Sequence, residues 1–146
     1  MSFSSFPLYF ENAAGQVREH PAGYGIVCYG AGKRVPGSFA ELGSQLGQLL
    51  LARRWTGFIS DQRLLAPLTE AEKTWVNDHW IGHQVPRPAH LTEALLVASD
   101  VFTRLSMSQI LNQSSSAAGS LTIQYFDSAE AAHAWPAKAA SVATRS

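Results

Sequence analysis

Residues 57–80 read GFISDQRLLAPLTEAEKTWVNDHW, and this stretch decides the fold. Phe58 and Ile59 form a short apolar run typical of a buried strand, and a polar turn follows it. Thr69 and Glu72 stand three residues apart, which is the spacing of a capping box. In that motif each side chain accepts a hydrogen bond from the other residue's backbone N–H. The stretch therefore predicts a strand, a turn and a helix that begins after Thr69.

Length and composition indicate one ordinary globular domain. We place this domain at residues 1–137, followed by a flexible tail at 138–146 that is rich in alanine and serine. Lysine plus arginine equal aspartate plus glutamate at 11 each. The chain thus has no positive field for a phosphate backbone, and we expect no nucleic-acid partner.

The compartment is predicted from three absences in the sequence. Cys28 is the single cysteine, so an internal disulfide is excluded. The first residues lack the basic and apolar regions of a signal peptide. No apolar run approaches the roughly 18 residues of a membrane span. We therefore expect a cytoplasmic protein that does not span a membrane.

The first half of the chain predicts a hairpin, a strand and a helix. Strand-like runs at 8–11 and 16–20 flank a turn, and a third strand is expected at 24–29. Ser38 and Glu41 match a second capping box. The helix they begin has apolar residues at helical spacing: Phe39, Leu42, Leu46, Leu49 and Leu50. Gly43 and Gly47 in this helix allow either the close approach of a neighbour or a neutral surface, and we favour the neutral surface.

The second half predicts two strands and two more helices. Residues 94–98 are apolar on both faces, which indicates a strand near the middle of a sheet. Asp100 is predicted to cap a helix with Thr103 and Arg104 facing water. The inward stripe of that helix is predicted to be Val101, Phe102, Leu105 and Ile110. The alternation at 121–126 is typical of a half-solvated edge strand, and a last short helix is expected to end at Pro136.

This order of elements predicts an α/β fold in which a hairpin precedes four strand–helix units. Each helix would serve as a right-handed crossover, which gives a mixed, mostly parallel sheet. Units that wind in one direction place their helices mainly on one face. No G-x-G-x-x-G or Walker sequence follows a strand, and we expect no cofactor.

The chain resembles the bacterial SpoIIAA-like proteins, whose domains are also called STAS or SEC14-like. The residues that carry the resemblance are Asp61, Gln62, Arg63, Ala66, Pro67, Leu68, Thr69, Glu72, Trp75 and Trp80. The match in element order covers nearly the whole chain. It implies a superhelix of four strand–helix turns and a non-enzymatic regulatory or ligand-binding module. In the family's anti-sigma-factor antagonists a serine where Thr69 stands is phosphorylated, although Leu68 here replaces the usual preceding aspartate.

Two groups of candidate site residues lie in the turn after the central strand. Asp61, Gln62 and Arg63 follow the carboxyl end of that strand, where open α/β sheets bind ligands. The alternative, a local ion pair and turn, is the one we favour. Thr69 is either a plain helix cap or a phosphoacceptor at a helix N-terminus, and we favour the cap.

The helix after Thr69 carries the remaining candidates. Trp75 and Trp80 are five apart and should point in different directions on an α-helix, so one could pack in the core while the other faces a pocket or partner. Core packing of both is the simpler alternative. His79 and His83 have the spacing of a zinc helix, but Trp80 replaces the glutamate of H-E-x-x-H. We therefore predict no metal site.

Three functions stay open. The first is an interaction module whose sheet edge or exposed helix face binds another protein or a second copy of the chain. The second is a carrier for an apolar small molecule or lipid, which the SEC14-like resemblance and the aromatic content suggest. The third, an enzyme, lacks any nucleophile with an evident base, and we expect a non-enzymatic protein. A cavity near Trp75 and Trp80 would favour the carrier.

Overall fold

Six strands form one sheet whose spatial order follows the chain. The computed structural model describes residues 3–82, 86–113 and 121–134, without the side chains of 111–113. The strands are β1 (Leu8–Asn12), β2 (Gly15–His20), β3 (Tyr24–Tyr29), β4 (Gly57–Asp61), β5 (Leu91–Leu96) and β6 (Leu121–Phe126). The pairs β1–β2 and β2–β3 are antiparallel, whereas β3–β4, β4–β5 and β5–β6 are parallel.

The helices alternate with the parallel strands. They are α1 (Ser38–Arg53), α2 (Glu70–Trp75) and α3 (Val101–Gln113). A π-helical turn, which we call the π segment (Val76–Ile81), continues α2 directly. A last helix, α4, is described over residues 129–134. The predicted α/β class, the mixed sheet and the order of a hairpin followed by four strand–helix units are confirmed.

Two apolar cores lie on opposite faces of the sheet. Phe58 and Ile59 are adjacent in β4 and belong to different cores, because successive strand side chains point to opposite faces. The first core contains side chains of α1, the π segment and α3, and Trp75 of α2 packs against it, whereas the second contains Ala129 and Ala132 of α4. Three of the four helices thus share one face, while α4 covers the other.

The junction between β4 and α2 forms as the sequence predicts. All five residues of β4 are buried. Thr69 is the N-cap of α2, and both bonds of the capping box are present: the Glu72 N–H donates to Thr69 Oγ1 at 3.1 Å, and the Thr69 N–H donates to the Glu72 carboxylate at 2.9 Å. The turn thus carries the chain from a buried strand into a capped helix.

The predicted capping box at the start of α1 is wrong. Gly37 is the N-cap, with a left-handed φ of 84° and no side-chain cap. The Ser38 hydroxyl donates instead to the Val35 carbonyl at 2.6 Å. A residue without a Cβ adopts the left-handed conformation at no steric cost, so the chain enters α1 through Gly37 and leaves Ser38 inside the helix.

Gly43 and Gly47 mark close approaches, not the neutral surface we favoured. A Cβ added to Gly43 would lie 2.3 Å from the Trp75 ring, and one added to Gly47 would lie 2.3 Å from the Pro86 carbonyl oxygen. No real Cβ tolerates such distances. These two glycines therefore let α1 pack against α2 and against the segment that leads to β5.

The predicted inward stripe of α3 is largely reversed. Thr103 is fully buried, and Ile110 is buried as predicted, but Val101, Phe102 and Leu105 are 50%, 68% and 56% exposed. The Thr103 hydroxyl donates to the Leu65 carbonyl at 3.0 Å, and the Thr103 N–H donates to the Asp100 carboxylate at 2.9 Å. These bonds tie that side of the helix to the β4–α2 turn and rotate the apolar residues toward solvent.

The last two strands differ from the prediction in detail. β5 begins at Leu91, three residues before the predicted strand, and lies beside the edge strand instead of mid-sheet. β6 is the edge strand, as its alternation predicted. The predictions for His83, Pro136 and the tail at 138–146 fall outside the described residues. Within the described ranges, no helix is long and apolar enough to cross a membrane.

Candidate functional site

The three predicted residues at the carboxyl end of β4 do not converge. Arg63 binds Asp61 through two nitrogens, with Nε 3.0 Å from Oδ1 and Nη2 2.8 Å from Oδ2. Asp61 lies on the same face as Ile59, whereas Gln62 lines a cavity on the opposite face. The arrangement of Asp61 and Arg63 is the local ion pair and turn, and Gln62 belongs to a different site.

Trp75 and Trp80 share that cavity, so the expectation that they point in different directions is wrong. Their rings stack with centroids 6.1 Å apart and an angle of 23° between the planes. The cause is the π segment, in which the Gly82 N–H donates to the Asn77 carbonyl five residues earlier at 3.0 Å. The wider turn brings side chains five apart toward one face. Such turns occur often at functional sites.

The cavity lies between the sheet and the helices of the first core, and its volume is about 40 Å³. Aromatic rings from β4, α1, α2 and the π segment form much of its wall: Phe58, Phe39, Trp75 and Trp80. Polar side chains of Tyr29, Ser60, Gln62 and Glu93 also line it. We call this space the Glu93 cavity.

Glu93 is the residue in this cavity that the sequence analysis missed. It is only 7% exposed, and burial raises its pKa to about 7, an effect that a hydrogen bond with Ser60 partly offsets. In the parallel register Glu93 lies beside Phe58 of β4. The available signal was a carboxylate inside an otherwise uncharged strand, LTEALL. A buried acid with a shifted pKa in a cavity is a candidate functional group.

Neighbouring hydroxyl and amide groups surround Glu93. The Gln62 amide donates to Ser60 Oγ at 3.1 Å, and burial raises the pKa of the Tyr29 hydroxyl. The ion pairs found within the described residues are Arg34–Glu72, Arg53–Glu19, Arg63–Asp61 and Lys73–Glu70. None of these provides Glu93 with a cationic partner.

A larger groove of about 820 Å³ lies outside the cavity, beside the carboxyl ends of β3 and β4. The loops around residues 32–37 and 66–72 form its sides. Phe39 and Trp75 line both the groove and the Glu93 cavity, so these rings separate the two spaces. This position is where open α/β sheets bind ligands.

Arg34 fixes one wall of the groove. Its Nε and Nη2 lie 2.8 and 2.6 Å from the Glu72 carboxylate, and Nη2 also donates to the Pro67 carbonyl at 3.0 Å. Although burial favours the neutral acid, hydrogen bonds from Arg34 and Thr69 outweigh it and lower the pKa of Glu72. The β3–α1 loop is therefore held against the start of α2.

Thr69 stands at the edge of this groove and is exposed. Its hydroxyl already caps α2, and the Glu72 carboxylate lies beside it. A phosphate on Thr69 would meet that negative charge, although Arg34 binds the same carboxylate. The plain cap that we favour is present, and phosphorylation of Thr69 stays the alternative. In the described ranges no three His, Cys, Asp or Glu residues are placed to hold a metal ion.

A second group of titratable side chains lies on the opposite face of the sheet. His20 stacks on Tyr24 with ring centroids 4.2 Å apart, and its centroid is 4.6 Å from that of His133. Burial, and then the nearby His133, lower the pKa of His20 to about 4. The Tyr24 hydroxyl donates to the His133 carbonyl at 2.7 Å. This group ties α4 to the β2–β3 hairpin.

The exposed side of α3 carries large apolar side chains. Val101, Phe102 and Leu105 lie there together, and we call this surface the α3 face. Leu64 is also exposed, and bonds from Ser99 N–H to the Arg63 carbonyl and from Thr103 to the Leu65 carbonyl hold its turn against the start of α3. Exposed Tyr125 of β6 shares a small cavity with Arg104 and Ser108 on another side of α3.

Comparison with models of protein families, with curated proteins and with solved structures found no match.

Proposed function

We propose that the chain is a non-enzymatic, STAS-like interaction module of a bacterial cell that binds a second copy of itself through the α3 face. The main support for this proposal is the orientation of α3, which buries Thr103 and exposes three large apolar side chains to water. Contiguous exposed apolar side chains on a soluble domain are typical of interaction sites. The SpoIIAA-like resemblance supports the same class of function.

Burial of this surface supplies the driving force. Covering one large apolar side chain is worth roughly 1.5–3 kcal/mol, but a stable interface needs about 800 Å² per partner. Three side chains are too few for this, so flanking surface must contribute. Leu64 and Tyr125 are both exposed and lie beside α3.

The edge of β6 offers a second surface for association, on another side of α3. Among the described residues this strand is the last of the sheet, so one side of its backbone has no neighbouring strand there. Its sequence, LTIQYF, contains neither a charged residue nor proline, the usual protections of an exposed edge. The β6 edge is therefore suited to pairing with another strand.

A second copy is the occupant that the chemistry favours. The α3 face has no charged side chain among its three members, and the chain has a formal net charge of 0. The exposed Asp100 and Arg104 beside it carry opposite charges, so this surface offers no net charge for a charged partner to recognise. A second copy offers an equal apolar surface, and a two-fold interface brings the same patch of each subunit together.

Light scattering after gel filtration tests this proposal. We expect the wild-type chain to be a dimer, and Phe102→Asp and Leu105→Asp to be folded monomers. Leu51→Asp is the matched control because Leu51 is also an exposed apolar helix residue but lies on α1. A wild-type monomer over the accessible concentration range, or variants that remain dimers, would refute the proposal.

The size of the Glu93 cavity favours a carrier function for small ligands only. The Glu93 cavity of about 40 Å³ is far below the roughly 300–1,000 Å³ of sites for drug-sized molecules. A lipid tail would not fit there. The groove of about 820 Å³ is large enough for a ligand, but it lies at the surface.

A further inference from the structure

We propose that the Glu93 cavity binds the ammonium group of a small primary amine, with the Glu93 carboxylate as counter-ion. This inference is independent of the α3 face, because the cavity and that face lie on different sides of the helix layer. Three features of the cavity favour an amine: a buried carboxylate, aromatic walls and an adjoining groove.

Glu93 provides the charge that an amine would pair with. A buried carboxylate is costly unless a cation or several hydrogen bonds stabilise it. The described helical residues that line the cavity carry no charge, and the ion pairs of the described residues leave Glu93 out. An entering ammonium group would supply the missing charge and three hydrogen-bond donors.

The aromatic lining favours a cation over an anion. The faces of tryptophan, tyrosine and phenylalanine rings attract cations. Two rings of this lining already do so within the chain: the Arg87 guanidinium carbon lies 5.5 Å from the Trp80 ring centroid, and that of Arg34 lies 5.7 Å from the Phe39 centroid. An ammonium group in the cavity would meet further rings of the same cluster.

The polar neighbours suit an ammonium group as well. Tyr29 and Ser60 offer hydroxyl oxygens, and Gln62 offers an amide oxygen, all of which accept hydrogen bonds. A primary ammonium group thus finds one anionic and several neutral acceptors in the same space.

Size limits the ligand to a small molecule. A cavity needs about 10–15 Å³ of such volume to hold one water molecule, so about 40 Å³ holds an ammonium group with one or two carbons. Longer alkyl chains would have to leave between Phe39 and Trp75, the two residues that the cavity and the groove share. The predicted class is therefore a short alkylamine, or a longer amine whose tail lies in the groove.

Calorimetric titration with ethylammonium tests the proposal, with ethanol as the neutral analogue. We expect ethylammonium to bind the wild-type chain and ethanol to bind at least tenfold more weakly. Glu93→Gln keeps the side-chain shape and removes the charge, so its affinity for ethylammonium should fall roughly 10- to 100-fold. Glu70→Gln is the matched control, because the Glu70 side chain is 92% exposed and should leave the affinity unchanged.

A pH series provides a readout that does not depend on a variant. Ethylammonium stays protonated, as lysine with its ordinary pKa of about 10.4 does, whereas Glu93 has a pKa of about 7. The affinity should therefore fall about tenfold per pH unit below that value. The other titratable groups facing Glu93 are Tyr29 from β3 and Tyr125 from β6, and both have raised pKa values, mainly because of burial. They stay neutral in this range.

Three results would overturn the proposal. The first is the absence of ethylammonium binding to the folded wild-type chain. The second is equal binding of ethanol and ethylammonium, which would show that charge is not recognised. The third is an unchanged affinity of Glu93→Gln, or an equal loss in Glu70→Gln, which would place the amine outside the cavity.

Discussion

Glu93 is a single buried carboxyl group whose pKa lies near neutral pH. Its neighbours in β5 are apolar or uncharged, and its burial disfavours the ionised form. Because its pKa in the folded chain is about 7 and its ordinary value is 4.5, the folded state binds this proton more tightly than the unfolded state does. The stability of the protein therefore depends on whether this residue is protonated.

Replacement of Glu93 by glutamine should change how stability varies with pH. In the wild-type chain the contribution of Glu93 is fully present below about pH 4.5 and is lost as the pH rises through about 7. The loss is on the order of 3 kcal/mol. We expect chemical denaturation to show that the wild type, relative to Glu93→Gln, loses free energy of unfolding between pH 5 and pH 8. A difference that does not vary with pH would contradict the raised pKa.

His20 should show the opposite behaviour. Burial and the neighbouring His133 lower its pKa from 6.5 to about 4, so stability from the neutral ring is present above about pH 6.5 and lost as the pH falls through about 4. An NMR titration of the His20 ring should give a midpoint near 4. His133→Asn should raise that midpoint only in part, because burial is the larger cause. A wild-type midpoint near 6.5 would show that the ring is solvated.

At the scale of the elements, periodicity predicted most strands and helices but not how each helix is rotated. The apolar residues of α1 recur every three or four positions along one side of the helix, and they are buried as predicted. In α3 the apolar residues surround much of the helix, so the pattern alone could not choose the inward side. That choice depends on the bond from Thr103 to the Leu65 carbonyl, a contact 38 residues away along the chain. The π segment was likewise not predicted, because a hydrophobic period of 3.6 residues describes only an α-helix.

The close packing of α1 makes Gly47 sensitive to one added methyl group. Alanine normally stabilises a helix interior by about 1 kcal/mol relative to glycine. Here the added Cβ would lie 2.3 Å from the Pro86 carbonyl oxygen, so we expect a net destabilisation of about 1–3 kcal/mol. Gln48→Ala at the adjacent exposed position is the control and should have little effect. Urea denaturation that finds Gly47→Ala more stable than the wild type would disprove this close approach.

The capping box of α2 gives a second prediction at this scale. Thr69→Ala removes the acceptor for the Glu72 N–H and should cost about 1 kcal/mol of unfolding free energy. Thr69→Ser keeps a hydroxyl at the same place and should retain most of that stability. Thermal denaturation of the two variants compares them directly. Equal stability of Thr69→Ala and the wild type would mean that the cap contributes nothing.

At the scale of the whole molecule, the sequence predicted the succession of elements because each boundary has a local signal, such as Thr69 with Glu72. It did not predict the sites, because these join residues from separate elements. The Glu93 cavity combines residues of β3, β4, β5, β6, α1, α2, the π segment and α3, and Trp75 and Trp80 lie together there because of the π segment. The α3 face exists because a distant carbonyl orients the helix. The Glu93 cavity and the α3 face are both consequences of tertiary packing.

Hydrogen–deuterium exchange of the wild-type chain at low and high protein concentration tests the α3 face most directly. If two copies associate there, amides at 101–106 and 121–126 should exchange more slowly at high concentration, while amides on the exposed side of α1 should not change. Protection that does not vary with concentration, or that appears only away from α3 and β6, would contradict self-association through this face.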